Sequence, residues 1–267
     1  MSPCAGNRPE KTENNTMRSG NPTLNSSTFD MFRGESYGAS QGMTIQGTAT
    51  KTLILLGMCV GMASLTWGMV KGQNMPQAMP WVIGGAIGGF IFGLVTSFKP
   101  NWSPVTAPLY AMAEGLFLGG LSALFEMRFQ GIVFQALIAT FGTAFALLMA
   151  YQTGLIKPTE NFKLGVIAAT GGICMMYLVM AVLRFFHIYD ANLMAMGGWG
   201  IAISAFVVLI AALNLVLDFD FIEDAANRGA PKFCEWYGAF GLMTTLVWLY
   251  VEILRLLAII AGSRERE

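Results

Sequence analysis

Of 267 residues, 54% are hydrophobic and only 12% are charged, and the 16 basic residues balance the 16 acidic ones. A soluble domain carries about 25% charged residues, so this composition excludes a water-soluble globule, and a net charge of zero offers nucleic acid no electrostatic footprint. The apolar residues come in long unbroken blocks, which is the pattern of an integral membrane protein whose first partner is the lipid bilayer.

Residues 1–48 are polar, with repeated Asn, Ser, Thr and Gly, including Asn14, Asn15, Ser26, Ser27 and Gly34. They hold no apolar core of a signal peptide, and such composition is expected to stay disordered or to lie loosely on a surface. Seven apolar segments follow: Thr52–Val70, Trp81–Phe98, Val105–Phe125, Gly131–Tyr151, Leu164–Leu183, Ala195–Leu217 and about Phe233–Ala261. Each is long enough to cross a hydrocarbon core of ~30 Å as a helix. Helix is required there because no water satisfies an open backbone. Residues 49–263 are therefore expected to form one all-α membrane domain, with a short charged end at 264–267. The connections are short, so sequential helices should pack as antiparallel neighbours. With the N-terminus in the cytoplasm, Lys99, Lys157, Lys163, Arg228, Lys232 and the basic residues up to Lys51 fall inside. Lys71, Arg128, Arg184, Arg255, Arg264 and Arg266 fall outside. That excess favours an N-terminus in the cytoplasm, and the membrane is expected to be the inner (plasma) membrane.

Cys4, Cys59, Cys174 and Cys234 stand far apart and form neither a disulfide framework nor a zinc motif. With one histidine, His187, and no GxSxG or HExxH, the chain is not expected to be an enzyme or to hold a cofactor. Chemistry is left to the acids. Asp218, Asp220 and Glu223 end the sixth segment; Glu235 and Glu252 lie on the seventh; Glu114 lies inside the third. Ionisable groups inside a membrane are costly and mark functional sites by default, although acids at a hairpin can also be interface charges. Asn214 and Asp218 are i and i+4 and share a helix face, whereas Asp220 points nearly opposite. Gly238, Gly241, Thr245, Trp248, Glu252, Arg255 and Ile259 recur at steps of three and four, a small polar face expected to point into the bundle. Glu252 and Arg255 on it can pair. Gly84/Gly88, Gly85/Gly89, Gly89/Gly93 and Gly115/Gly119 are GxxxG spacings that read as helix packing.

Three stretches carry a resemblance: PLYAMAEGLFLGG at Pro108–Gly120, LVLDFDFIE at Leu215–Glu223 and LYVEILRLL at Leu249–Leu257. Through them the chain resembles a bacterial member of the Bax-inhibitor (transmembrane BAX inhibitor motif) family over residues 50 to 262. The resemblance implies seven helices with the last held centrally. It also implies a passive, pH-sensitive calcium leak controlled by two acids that share a proton. Asp218 matches the first acid. Glu252 matches the second by local context, but a hairpin turning near Arg228 brings Glu235 closer, and position 242, where the usual spacing would put an acid, is Leu242. Two carboxylates a few Å apart cannot both ionise cheaply, so such a pair is a pH switch without histidine, and Asp218 with Glu252 would also offer Ca²⁺ hard oxygen ligands. Glu114, Asn214, Asp220 and Arg255 are the expected supporting groups. The competing expectation is a non-conducting regulator of a membrane protease or stress response, its function lodged in the polar N-terminal residues.

Overall fold

The computed structural model describes residues 42–72, 75–186 and 198–264; most of the polar N-terminal segment, His187 and Arg266 lie outside the described residues. Seven long helices make up the described chain: α1 (Ile45–Lys71), α2 (Met75–Phe98), α3 (Ser103–Arg128), α4 (Ile132–Gln152), α5 (Glu160–Phe185), α6 (Gly198–Asn227) and α7 (Cys234–Arg264). All seven are long and apolar enough to cross a membrane. The surface of the bundle is correspondingly apolar: Phe90 is 69% exposed and Phe134 68%. In water that would be an aggregation liability; in lipid it is the solvent-matched face.

Two boundaries differ from the sequence expectation in ways that matter for the site. α1 begins at Ile45 rather than Thr52, because Thr44 caps it: the Gly47 amide donates to Thr44 Oγ1 at 3.0 Å. A hydroxyl before a helix satisfies an otherwise orphaned amide there. α6 runs on to Asn227 rather than ending at Leu217, because no Gly or Pro interrupts it and Phe221, Ile222 and Ala225 are buried. Asp218, Asp220 and Glu223 therefore stand on helical backbone. The helix stops where Gly229 takes φ +71°, with the Gly229 and Ala230 amides donating back to Ala226 and Ala225. That left-handed closing turn favours glycine.

The expected packing of sequential helices holds for α2 with α3 and for α6 with α7 but not along the whole chain. The most extensive contacts are α1 with α3, α2 with α3, and then α6 with α7, while consecutive α3 and α4 touch little. Small residues decide this. A Cβ placed on Gly85 would collide with the Ala113 carbonyl and the Phe117 amide of α3, and one on Gly115 or Gly119 would strike the α1 backbone at Cys59 or Ala63. Backbones this close are possible only at glycine. Gly84, one position away on α2, meets nothing. α7 packs against α1, α3, α4 and α6. Its polar face is buried at Thr245, Glu252 and Ile259, but so are Tyr237, Met243 and Leu254 elsewhere on the helix. α5 is the least buried of the seven and rests chiefly on α6.

Candidate functional site

The α6–α7 hairpin sets the depth of every acid. The Gly238 Cα faces Ile222 across the turn, so Leu242 stands level with Asp218. At 1.5 Å per residue, Glu252 lies roughly 15 Å beyond Asp218 and Glu235 roughly 10 Å short of it. Asp218 itself is 0% exposed. The register that brings neither glutamate level with it follows from the long α6: each residue added before the turn shifts α7 by one step.

Glu252 is 2% exposed and has its own partners. Tyr177 of α5 donates its hydroxyl proton to Glu252 Oε1 at 2.9 Å, and Arg255 Nη1 lies 3.2 Å from Oε2. Arg255 also donates to the Tyr177 hydroxyl, and its guanidinium carbon is 5.1 Å from the tyrosine ring centre. The pairing of Glu252 with Arg255 is as the spacing suggests; Tyr177 makes it a three-membered cluster across two helices. Arg255 is thus engaged in the far half of the bundle, away from Asp218.

Glu235, 1% exposed, is held from three sides. It accepts from Lys51 of α1, from Lys232 at 2.7 Å, and from both the amide and the hydroxyl of Thr44 at 3.0 and 2.8 Å. Beside it the Met43 amide donates to the Ala230 carbonyl at 2.7 Å. This clasp ties the start of α1 to the α6–α7 turn. Two ammonium groups stabilise the carboxylate as an anion, which makes Glu235 an anchor and not a group that shares a proton with Asp218.

Asp218 is fully buried on α6, between two residues that reach α5. One turn before it, Asn214 (2% exposed) donates to Thr170 Oγ1 and to the Ile210 carbonyl, each at 2.8 Å. Two residues after it, Asp220 pairs with Lys163 at 2.8 Å, which bridges it to α5. Lys163, Thr170 and Tyr177 are spaced by seven, two helical turns, and so lie on one face of α5. They meet Asp220, Asn214 and Glu252 in turn. None of the three was singled out from the sequence; the seven-residue recurrence of polar side chains on an otherwise lipid-like helix was the available signal. Nearer the turn, Tyr151 of α4 donates to Glu223, and Arg228 pairs with Asp224 at 2.8 Å.

Glu114 has the depth expected of it but another direction. Tyr110 of α3 packs edge-on against Phe240 of α7 with ring centres 4.8 Å apart, which sets Glu114 within about a turn of Asp218 in height. Its carboxylate, however, lies over Gly89 of α2, where any side chain at 89 would strike it. α3 makes no substantial contact with α6. Glu114 is therefore turned toward α2, and α3 does not pack on the helix that carries Asp218.

Among the described residues no cluster of three or more His, Cys, Asp or Glu side chains could hold a metal ion. Asp218 and Glu252, at different depths, do not form a two-carboxylate calcium site. One face of α5 thus meets single carboxylates and an amide of α6 and α7 in series, each with its own partner.

A family model described as Bax inhibitor 1 like matches residues 12–262. No curated protein and no solved structure matches the chain.

Proposed function

This chain belongs to the Bax inhibitor 1 like family, and from that premise we propose that it is a pH-sensitive cation leak of the inner membrane, with calcium as the permeant ion and no enzymatic step. The reading rests above all on Asp218, a carboxylate with 0% exposure in a membrane bundle. Burying such a group is expensive, and protonation converts it from an anionic acceptor into a neutral donor. A cation moving along the α5 face, a polar seam, would meet Asp220, Asn214 and then Glu252, with Asp218 buried on α6 between the first two. The Asp220–Lys163 and Glu252–Arg255 pairs carry opposite charges at the two ends of that path, so each must loosen for an ion to pass. In this reading the acids act in sequence and the proton-sensitive element is Asp218 alone, not a shared pair. The N-terminus lies on the cytoplasmic side, and the acidic hairpin with it.

The test is calcium flux into liposomes holding the purified protein, at about pH 6 and about pH 8, a range over which a perturbed carboxyl can titrate. Asp218→Asn keeps the shape but cannot ionise, and flux should lose most of its pH dependence. Asp220→Asn should keep it. An Asp218→Asn protein with the full pH response of the parent sinks the assignment.

A regulatory reading draws support from one observation: the family match starts at residue 12, well inside the polar N-terminal segment. A regulator of a membrane protease would use that segment. Deleting residues 1–41 should then abolish regulation, whereas a leak should survive it.

A further inference from the structure

α1 and α4 make no substantial contact, and between them, floored by α3 and α7, lies a cleft of about 350 Å³. Its shape follows from small residues. Gly119 draws α3 against the α1 backbone at Ala63, and Ala63 and Ser64 leave the volume beside them unfilled. The polar groups on its walls already have partners: Ser122 and Tyr250 bond to each other at 2.6 Å, and Thr140 donates to the Ala136 carbonyl at 2.7 Å. Water needs two to four polar partners to stay in such a site, and the walls present none. The occupant must be apolar.

The cleft opens sideways into the hydrocarbon, past Val60, 62% exposed on α1, and Phe141, 49% exposed on α4. Along α1 it runs from Leu56 to Trp67, about 16 Å at 1.5 Å per residue. That is close to half of a ~30 Å hydrocarbon core, the depth of one leaflet. About 350 Å³ over that length falls well short of the volume of a helix about 10 Å wide with its side chains and suits a single alkyl chain. At the end away from the α6–α7 hairpin, Trp67 closes the cleft and the Lys71 ammonium stands 5.1 Å from its ring centre. Glu126, which shares a hollow with Lys71, is engaged elsewhere: its carboxylate accepts from the Gly131 and Val133 amides at 2.8 and 3.3 Å.

We propose that this cleft binds one acyl chain of a phospholipid from the leaflet opposite the hairpin, with the lipid phosphate at Lys71. The chain fills the volume that α1 and α4 leave and so closes the wall of the bundle behind α7.

The full chain is reconstituted in phosphatidylcholine vesicles containing a small fraction of phosphatidylglycerol with a photoreactive diazirine midway along one acyl chain. After illumination, labelled peptides are mapped by mass spectrometry. Label should concentrate on the α1 and α4 peptides bordering the cleft, above the lipid-facing surface of α5 around Val179. Ser64→Trp adds bulk at an exposed position on the cleft wall and should reduce cleft labelling to the α5 level; Leu137→Trp, from the α4 wall, repeats the test if the first variant fails to fold. Lys71→Gln should lower labelling by about fivefold, the effect of one cation on a phosphate near the surface. Label spread evenly over the lipid-facing helices, or cleft labelling untouched by both tryptophans, overturns the acyl site. Cleft labelling unchanged in Lys71→Gln overturns the place given to the phosphate.

Discussion

Two halves of this bundle are held by different physics. In α1, α2 and α3, backbone meets backbone at Gly85, Gly115 and Gly119. Between α5 and its neighbours α6 and α7, side chains meet: Lys163 with Asp220, Thr170 with Asn214, Tyr177 with Glu252 and Arg255. Close-packed backbones have no slack, and a shift of one helix past another forces atoms together. Hydrogen bonds and ion pairs can break singly and re-form with water, a proton or an ion. For the leak proposed above, this division would let the bundle stay assembled in one half while contacts exchange in the other. The Glu235 clasp ties the halves, since Thr44 and Lys51 come from α1 and Glu235 from α7.

The comparison is open to four tests, from the largest expected effect down. Removing the clasp should cost most. Glu235→Ala strands Lys51, whose side chain is only 16% exposed, and breaking a buried ion pair costs about 3 kcal/mol or more. Thermal unfolding in detergent should show the drop, and amide exchange should rise at residues 43–48 and 228–236.

Next come the glycines. Gly119→Ala drives a methyl into the Ala63 carbonyl and Thr66 hydroxyl, an overpacking cost of about 1–3 kcal/mol. Gly84→Ala meets nothing and should leave the unfolding midpoint where it is. If both variants behave alike, the backbone-packed half is not what holds α1 and α3 together.

Tyr177→Phe deletes the hydroxyl that ties α5 to Glu252 and Arg255 of α7. The hydroxyl makes two hydrogen bonds to charged groups, each worth about 1.5 kcal/mol or more, but Glu252 and Arg255 keep their direct pair, so a loss of only about 1–2 kcal/mol should accompany a rise in calcium flux through the seam. A rise in flux from Gly84→Ala and none from Tyr177→Phe would place the moving part in the wrong half.

The smallest effect belongs to Lys163→Gln. Its partner Asp220 keeps 27% of its side-chain surface, and partly exposed pairs are worth about 0–1 kcal/mol. Stability should barely change, and flux should gain a steeper dependence on ionic strength as the mouth of the seam loses its cation.

Much of this protein was legible before its shape was known. Seven apolar blocks with short joins leave no alternative to seven spanning helices, because hydrocarbon forbids an unsatisfied backbone. Gly85, Gly89, Gly115 and Gly119 announce close contacts by their spacing, and Glu252 with Arg255 announces a pair. The sequence also singled out Asp218, since an acid inside an apolar run is costly wherever it points. It could not say which acids would meet. That depends on register, and register came from a helix end: α6 passes Leu217 and stops only at Gly229, so Leu242 rather than Glu235 or Glu252 stands level with Asp218. It depends also on which helices are neighbours. α3 turned Glu114 toward Gly89 of α2, and α5 brought Lys163, Thr170 and Tyr177 to residues far from them in the chain. Hydrophobicity is a property of each residue and can be read one residue at a time. Partnership is a property of two helices at once, and only their packing decides it.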